Sequence, residues 1–155
     1  NTLKNNILNY LSEYRMINDY VDITSGEVVD FKLEIDLIID KNQIPTDIIR
    51  ESINKTTDFF DFSKRKMGDP LFVGDLIREI GQVQGVKNVV DIRVYGTTGG
   101  SYSSSEVAQA YKDATTKEIQ QFDMTVFMKS NQIFQIRFPG TDIRVRTKTL
   151  GTTTY

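Results

Sequence analysis

A run of strictly alternating character, Val29 to Ile39, constrains this chain more than any other feature of its sequence. Its odd positions are all apolar, whereas four of its five even positions are Asp, Glu or Lys. Successive side chains of a β-strand point to opposite faces of the sheet, so this period of two predicts a strand with one buried and one mostly solvated face. Such a strand belongs in an antiparallel or mixed sheet that is covered on one side.

Three other segments place apolar residues at intervals of three and four, which predicts amphipathic helices. Thr2 is positioned to cap the first helix, and either Thr46 or Asp47 the second, close to Pro45. The three predicted helices are Thr2–Tyr14, Asp47–Phe60 and Gly74–Ile80.

A second long β-rich run follows the helices at Val86–Tyr95, and a short strand is expected at Tyr20–Ile23. Val90, Ile92 and Val94 are expected on one face of the later strand. Strands separated by helical crossovers predict an α+β fold, with a small mixed or antiparallel sheet and helices on one of its faces. The predicted core places Leu33, Ile35 and Leu37 against Ile49, Ile53 and Phe60 of one helix and Leu76 and Ile80 of the next.

The composition changes after Tyr95. Residues 96–105 are rich in Gly and Ser, which predicts a flexible polar loop, and Glu106–Tyr111 is expected to form a helical turn. Alternating apolar residues then favour strands. The expected strands are 122–128, 133–138 and 143–147, and the last two form a predicted hairpin over 132–148 through a turn at Pro139–Asp142.

This change of composition predicts a core domain at 1–95 and a C-terminal extension at 96–155, which consists of a Gly/Ser-rich loop and a β-rich arm. Lone strands are marginal in water unless a sheet or a partner covers them. Because the extension is rich in polar and turn residues, we expect its strands to be buried against another copy of the chain or a neighbouring protein.

The residue types that are absent exclude several kinds of catalytic site. The sequence contains 0 Cys and 0 His, which removes disulfides, the usual zinc sites and nucleophile–histidine pairs. Lys and Arg number 19 against 21 Asp and Glu, and this balance argues against a dedicated binder of nucleic acid or anionic membrane. We therefore expect that the chain is not an enzyme and that it binds neither a metal nor a cofactor. The chain starts at Asn1 rather than Met, as expected of a processed product or part of a longer polypeptide.

Two groups of polar residues are candidate functional sites. The run Gly96–Gly100 matches neither the GxxxxGK[ST] nor the GxGxxG phosphate-binding pattern, and Ser101 lies in no GxSxG elbow, so a loop is favoured. A series of carboxylates matches no EF-hand spacing, and a solvated helix face explains it better than a metal site. These carboxylates are Asp58, Asp61, Asp69, Asp75 and Glu79.

A basic stripe is the remaining candidate. Arg144, Arg146 and Lys148 alternate along one strand, and Arg137 precedes them. Binding of single-stranded nucleic acid would require exposed aromatic residues beside the stripe. Phe134 and Phe138 are expected in the core, so a polar outer strand face is the favoured interpretation. An acidic protein and a nucleic acid both remain open as partners of a functional stripe.

An ordered set of features from Leu8 to Val94 resembles the C-terminal domain of baseplate J-like proteins, the wedge subunits of contractile-tailed phages and related injection machines. The set consists of Tyr14-Arg15 at a helix end, the strands Tyr20–Ile23 and Phe31–Ile39, the aromatic helix end Asp58–Phe62, the turn Met67–Asp69, the helix start Val73–Ile77 and the strand entry Gly85–Val89. One position departs from the family pattern, because Gly74 stands where a Ser is common. The closing segments Phe134–Pro139 and Asp142–Arg146 resemble the C-terminal extension of the large wedge subunits in T4-type phages.

The resemblance implies a structural protein of the virion, located in the tail baseplate and assembled in the host cytoplasm. It implies contacts with other copies of the chain, as a homodimer within a larger ring around the tail tube, and with other wedge proteins. It implies no nucleic-acid or membrane partner. The alternative from the residues alone is a ferredoxin-like binding module for nucleic acid or a small ligand, because α+β sandwiches serve many functions.

Overall fold

The structure, a computed structural model, describes residues 2–12 and 25–149. Its helices are α1 (Thr2–Ser12), α2 (Pro45–Phe59), α3 (Val73–Gly81) and the short α4 (Pro139–Asp142). Its strands are β1 (Glu27–Ile39), β2 (Leu71–Phe72), β3 (Val86–Gly96), β4 (Tyr111–Asp113), β5 (Glu118–Ile119), β6 (Thr125–Val126), β7 (Gln132–Gln135) and β8 (Ile143–Thr149). Within these ranges, no helix is long and apolar enough to cross a membrane.

Strand β1 is the centre of the main sheet. It pairs antiparallel with β3 along one edge, from Phe31 opposite Gly96 to Ile39 opposite Val86. Its other edge is shared by two parallel neighbours, β7 beside the first part of the strand and β8 beside the rest. Strands β5 and β4 continue the sheet beyond β3, and β2 and β6 form a separate antiparallel pair. The fold is α+β with a mixed sheet, as the sequence predicts.

The apolar face of β1 forms the floor of the core. Its six odd residues from Val29 to Ile39 are each no more than 2% exposed. Leu76 and Ile80 of α3 and Phe60, which directly follows α2, are buried in the same cluster, as predicted. Both long crossover helices therefore cover this side of the sheet, because only this side of β1 offers a continuous apolar surface.

Helix α2 is rotated relative to its predicted orientation. Its fully buried residues are Ile48, Ser52 and Thr56, whereas Ile49 and Ile53 lie at the edge of the contact and are only partly buried. The small Ser52 lets the helix approach the sheet, and the Thr56 hydroxyl donates to the carbonyl of Ser52 (2.8 Å). The sequence pattern was ambiguous because Ile48, Ile49 and Ile53 together cover a wide arc of the helix.

The predicted helix caps are not found. Helix α2 has Ile44 at its N-cap position without a side-chain hydrogen bond, and Pro45 begins the helix. Asp47 instead forms an ion pair with Arg50 in the first turn (3.2 Å). Thr2 lies within α1 rather than before it. The end of the predicted first helix, at Tyr14, and the strand predicted at Tyr20–Ile23 lie outside the described residues.

A bulge in β3 changes which of its residues face the core. Val89 pairs with Leu37 and Asp91 with Asp36, so Val90 is an extra residue between them. Because a bulge reverses the alternation locally, Val90 points away from the core and is 55% exposed, while Ile92 and Val94 are buried. The prediction that Val90 faces the same way as Ile92 and Val94 is wrong for this reason.

The predicted hairpin over 132–148 is also wrong. Strands β7 and β8 do not pair with each other; both run parallel to β1, one after the other along the same edge. The turn expected at Pro139–Asp142 is the four-residue helix α4, which connects them. Hydrophobic alternation identifies strands but not their partners. One edge of β1 is long enough to pair with both β7 and β8.

The segment after Gly96 buries its strands within the chain, so the expectation that it needs another molecule to cover them is wrong. Five of its apolar residues belong to the same core cluster as β1, namely Ile119, Val126, Phe134, Ile136 and Ile143. Strands from both sides of the predicted boundary between 1–95 and 96–155 thus share one sheet. That domain boundary itself stays a prediction.

Two further local expectations for this segment are corrected. The helical turn expected at Glu106–Tyr111 is irregular backbone that leads into β4. The strand expected at 122–128 is reduced to β6, because Asp123 and Met124 form a tight turn with positive φ values of 50° and 57°. The N–H of Thr125 donates to the carbonyl of Phe122 across this turn, so the apolar alternation here spans a hairpin and not a single strand.

Truncation of Ile35 tests the buried face of β1. Ile35→Ala should lower the free energy of unfolding by about 2–5 kcal/mol, because a fully buried side chain would leave a cavity. Val90→Ala, on the exposed bulge, should cost less than about 0.5 kcal/mol. Urea denaturation of both variants measures this difference, and equal midpoints would contradict the register of β1 and β3.

Removal of the C-terminal segment tests whether the sheet is one unit. A chain that ends at Tyr95 loses β7 and β8 and leaves one edge of β1 unpaired, so we expect it not to unfold cooperatively. A chain that ends at Thr149 keeps every described element and should unfold like the full chain. Cooperative thermal unfolding of the shorter chain, measured by circular dichroism, would show that residues 1–95 form an independent domain.

Candidate functional site

The solvent-facing side of the main sheet, called here the outer face, carries the basic stripe found in the sequence. Cross-strand pairing places the charges of this face in rows. On β3, Arg93 lies opposite Glu34 of β1 and Asp91 lies opposite Asp36. On β8, Arg144 lies beside Glu34 and Arg146 beside Asp36. The residues of the outer face are Lys32, Glu34, Asp36, Asp91, Arg93, Tyr95, Arg144, Arg146 and Lys148.

Arg93 is the hub of an ion-pair network on this face. Its guanidinium donates to Glu34 (Nη2 to Oε2, 3.0 Å), to Asp36 (Nη1 to Oδ2, 3.0 Å) and to Asp91 (Nη1 to Oδ2, 3.0 Å). Arg146 donates to the same pair of β1 carboxylates, at 3.0 Å to Asp36 and 3.3 Å to Glu34. The planar fork of arginine lets one side chain serve several carboxylates, and the network ties β1, β3 and β8 together.

The network shifts the ionisation of its members. Burial is the largest single influence on Glu34 and would raise its pKa, but the hydrogen bonds from Arg93 and Tyr95 and the two arginine charges together lower it. Burial and the hydrogen bond that its hydroxyl donates to Glu34 raise the pKa of Tyr95. Burial would lower the pKa of Arg93, but its hydrogen bonds to Asp36 and Glu34 raise it overall.

The network divides the basic stripe. Arg144, Arg146 and Lys148 do alternate on the exposed side of β8. Arg146 is paired with two carboxylates, whereas Arg144 and Lys148 have no ion pair with another described residue. Arg137 does not belong to the stripe, since it lies beyond the end of β7 with its guanidinium 5.8 Å from the Phe138 ring. Phe138 is 42% exposed, so the expectation that it faces the core is wrong, whereas Phe134 is buried as expected. The stripe therefore forms part of a polar outer face, which is the interpretation that the sequence favours.

The structure brings most of the candidate carboxylates to one groove. Asp58, Asp69, Asp75 and Glu79 line a cavity of about 580 Å³ between α2 and α3, together with Lys55, Lys64, Arg65 and Arg78. Asp75 pairs with Arg78 (2.7 Å) and Asp69 accepts from the N–H of Lys66 (2.7 Å). Asp61 is not part of the groove and accepts from the N–H of Ser63 at the start of a 3₁₀ turn. In the described ranges, no three acidic residues are grouped as metal ligands.

The floor of this groove is a stacked arginine. The Arg65 guanidinium lies 4.0 Å from the centroid of the Phe134 ring and also contacts the rings of Phe59 and Phe60. Burial lowers the pKa of Arg65. Since it donates to the carbonyls of Phe59 and Asp61, Arg65 holds the end of α2 in place.

The Gly-rich loop is attached to the sheet through two buried carboxylates. Asp30, 0% exposed, accepts from the N–H of Ser103 (2.6 Å) and from the Gln135 amide (2.6 Å). Asp142, 2% exposed, accepts from the Tyr102 hydroxyl (2.8 Å), and this hydrogen bond raises the pKa of Tyr102. The loop is thus anchored where a flexible linker was expected.

The residues that sequence reasoning missed are the acidic partners of the stripe and the buried carboxylates. The alternation of β1 predicts that Glu34, Asp36 and Asp30 all belong to a solvated strand face. The signal was present in the opposite charges at alternate positions of β1, β3 and β8. It could not be used without the strand order and the register, both of which depend on the tertiary fold.

Comparison with known proteins does not assign the chain to a family. No family model matches it, and no curated protein matches it at a significant level. The outer face and the groove are therefore interpreted from their own chemistry.

Substitution of Arg93 should change how the free energy of unfolding depends on pH. The lowered pKa of Glu34 means that its contribution to stability is present above the ordinary carboxyl pKa of 4.5 and is lost as the pH falls through its lower folded value. Arg93→Met should therefore cost about 1–2 kcal/mol at pH 7 and less at about pH 3, because the protonation of Glu34 weakens its ion pair with Arg93. Urea midpoints at both pH values measure this.

The control for this experiment is Arg78→Met, which removes an exposed pair between neighbouring turns of one helix. It should cost less than about 0.5 kcal/mol at either pH. An equal pH dependence for Arg93→Met and the unmodified chain would contradict the role of Arg93 in lowering the pKa of Glu34.

Proposed function

We propose that this protein is a structural, non-enzymatic component of a contractile phage tail baseplate, a wedge subunit that acts through protein–protein contacts in the virion. The observation that carries the proposal is the ordered set of baseplate J-like features from Leu8 to Val94. Its proposed partners are other copies of the chain and other wedge proteins in the ring around the tail tube.

Several members of that set hold defined positions in the fold, which supports treating them as one pattern. The aromatic helix end contributes Phe60 to the core, and Val73 and Leu76 at the start of α3 are buried. Gly85 has a φ of +95°, and a Cβ there would lie 2.9 Å from Ile48 Cδ1, so the strand entry requires a glycine. These features are thus fixed by packing and turn geometry.

An exposed apolar surface around the β2–β6 pair supports a role in protein contacts. Phe72, Phe122 and Phe127 are 48%, 56% and 53% exposed, and Met124 protrudes from the tight turn between them. Isolated exposed apolar residues are ordinary, but a group of large ones on one small element is typical of a contact surface. Aromatic anchors of this kind contribute much of the energy of protein interfaces.

The charges of the outer face make the nucleic-acid alternative less favourable. Binding to a phosphate backbone gains its energy from several unpaired cations in a row. Arg93 and Arg146 are instead held by Glu34, Asp36 and Asp91. A face with alternating signs suits a protein partner of complementary pattern better than a polyanion.

Mixing experiments with wedge proteins test the proposal. The full chain should form complexes with itself or with the wedge proteins encoded beside it, as measured by analytical ultracentrifugation. Phe122→Ser combined with Phe127→Ser should weaken these complexes by about tenfold or more if the β2–β6 surface contributes anchors. Phe62→Ser, which removes a similarly exposed ring (45%) elsewhere, is the matched control.

Two results of binding experiments would contradict the proposal. One is a chain that stays monomeric with every wedge protein. The other is saturable binding of the unmodified chain to an oligonucleotide that Arg144→Gln abolishes, which would favour the alternative binding module. Immunogold labelling of intact particles should place the chain at the tail end distant from the head, and label confined to the capsid would also contradict the proposal.

A further inference from the structure

A polar cavity of about 330 Å³ lies at one end of the outer face, where the Gly-rich loop meets the junction of α4 and β8. It is separate from the groove between α2 and α3 and shares none of its residues. The side chains and loop residues around it are Lys32, Glu34, Tyr95, Thr97, Thr116, Thr141, Asp142 and Arg144.

The two cations of this cavity have no carboxylate partner in the described part of the chain. The Nζ of Lys32 lies over the face of the Tyr102 ring, 5.4 Å from the ring centroid. Arg144 stands beside Glu34 in the strand register but does not pair with it. Glu34 is already engaged by Arg93, Arg146 and Tyr95.

The other carboxylate in the lining is engaged as well. Asp142 accepts from the Tyr102 hydroxyl through Oδ1 (2.8 Å) and from the N–H of Phe138 through Oδ2 (3.2 Å). It is 2% exposed, so its oxygens face the protein and not the cavity mouth. The cavity thus combines two available cations with two carboxylates whose hydrogen bonds are already made.

Hydroxyl donors complete the site. The Thr116 oxygen accepts from the N–H of Glu118 (3.4 Å), which leaves its own O–H to donate. Thr97 is held through its backbone, since its N–H donates to the carbonyl of Asp30 (3.2 Å), and its side chain lines the cavity. A charged fork, an ammonium and hydroxyls around one space are the donors that oxyanions take in proteins.

We propose that this cavity binds a single carboxylate group, held by Arg144 and Lys32 with the hydroxyls of Thr97 and Thr116 as additional donors. One negative charge is favoured over two, because Glu34 and Asp142 in the lining repel a dianion such as phosphate. A planar carboxylate also matches the two parallel N–H groups of a guanidinium. The carboxylate belongs either to an acidic residue of a protein or to a free organic acid, and the inference rests on the cavity, independently of the proposed baseplate role.

Titration of the full chain with four anions tests the site. Acetate, lactate, a capped peptide with a single glutamate and inorganic phosphate are added at constant ionic strength while the backbone amide signals of Thr97, Thr141 and Arg144 are followed by NMR. We expect saturable shifts with the carboxylates and weaker ones with phosphate. Tighter binding of the peptide than of lactate would identify a protein as the source, and the reverse order a free acid.

Three variants assign the effect to residues. Arg144→Gln and Lys32→Gln should each weaken carboxylate binding by about tenfold. Lys148→Gln removes the same charge from the same face outside the cavity and should change binding by less than about twofold. Thermal midpoints equal to that of the unmodified chain show that the variants are folded.

The proposal is overturned by any of three results: no saturable shift at these amides, phosphate binding tighter than carboxylate binding, or equal losses in Lys148→Gln and Arg144→Gln. None of these results bears on association with wedge proteins, so failure of the carboxylate site and failure of the proposed baseplate role are distinguishable.

Discussion

Burial of the odd side of β1 is the constraint on which the rest of this structure depends. From Val29 to Ile39, every residue on that side is apolar and almost inaccessible to water, so the two long crossover helices must lie there. At 13 residues, β1 is long enough to pair with β3 on one edge and with both β7 and β8 on the other. The helices and the C-terminal strands are therefore organised around one strand, and the segments before and after Gly96 have a common core.

The same strand determines the chemistry of the outer face. Because side chains alternate, burial of the odd residues places Glu34 and Asp36 on the solvated side, between the arginines of β3 and β8. Arg93 and Arg146 are thereby paired with carboxylates, while Arg144 and Lys32, beside the cavity, have no carboxylate partner among the described residues. Charge compensation at the centre and available charge at one end make the face selective for a local acidic group over an extended polyanion.

The surfaces of the protein are of the type that the proposed structural role requires. A subunit that acts by contact requires a stable scaffold, exposed anchors and a means of recognising partners. The mixed sheet supplies the scaffold, the phenylalanines around β2 and β6 supply exposed apolar area, and the cavity beside Arg144 supplies a candidate point of charge recognition. The identity of the assembly rests on the sequence resemblance, and the surfaces support contact as its mode of action.

The sequence by itself determined β1, its buried side, the three longer helices and the α+β class, because these follow from the periodicity of apolar residues within one segment. It did not determine that β7 and β8 both pair with β1, that β3 bulges at Val90, or that α2 buries Ile48 and Ser52. Those outcomes depend on which segments compete for the same edge and on how closely a helix can approach the sheet. The same holds for the candidate site. The sequence shows the basic residues of β8, but the strand register decides that Arg146 is paired with carboxylates and that Arg144 has no such partner among the described residues. The reason is that an ion pair depends on the distance between side chains on neighbouring strands.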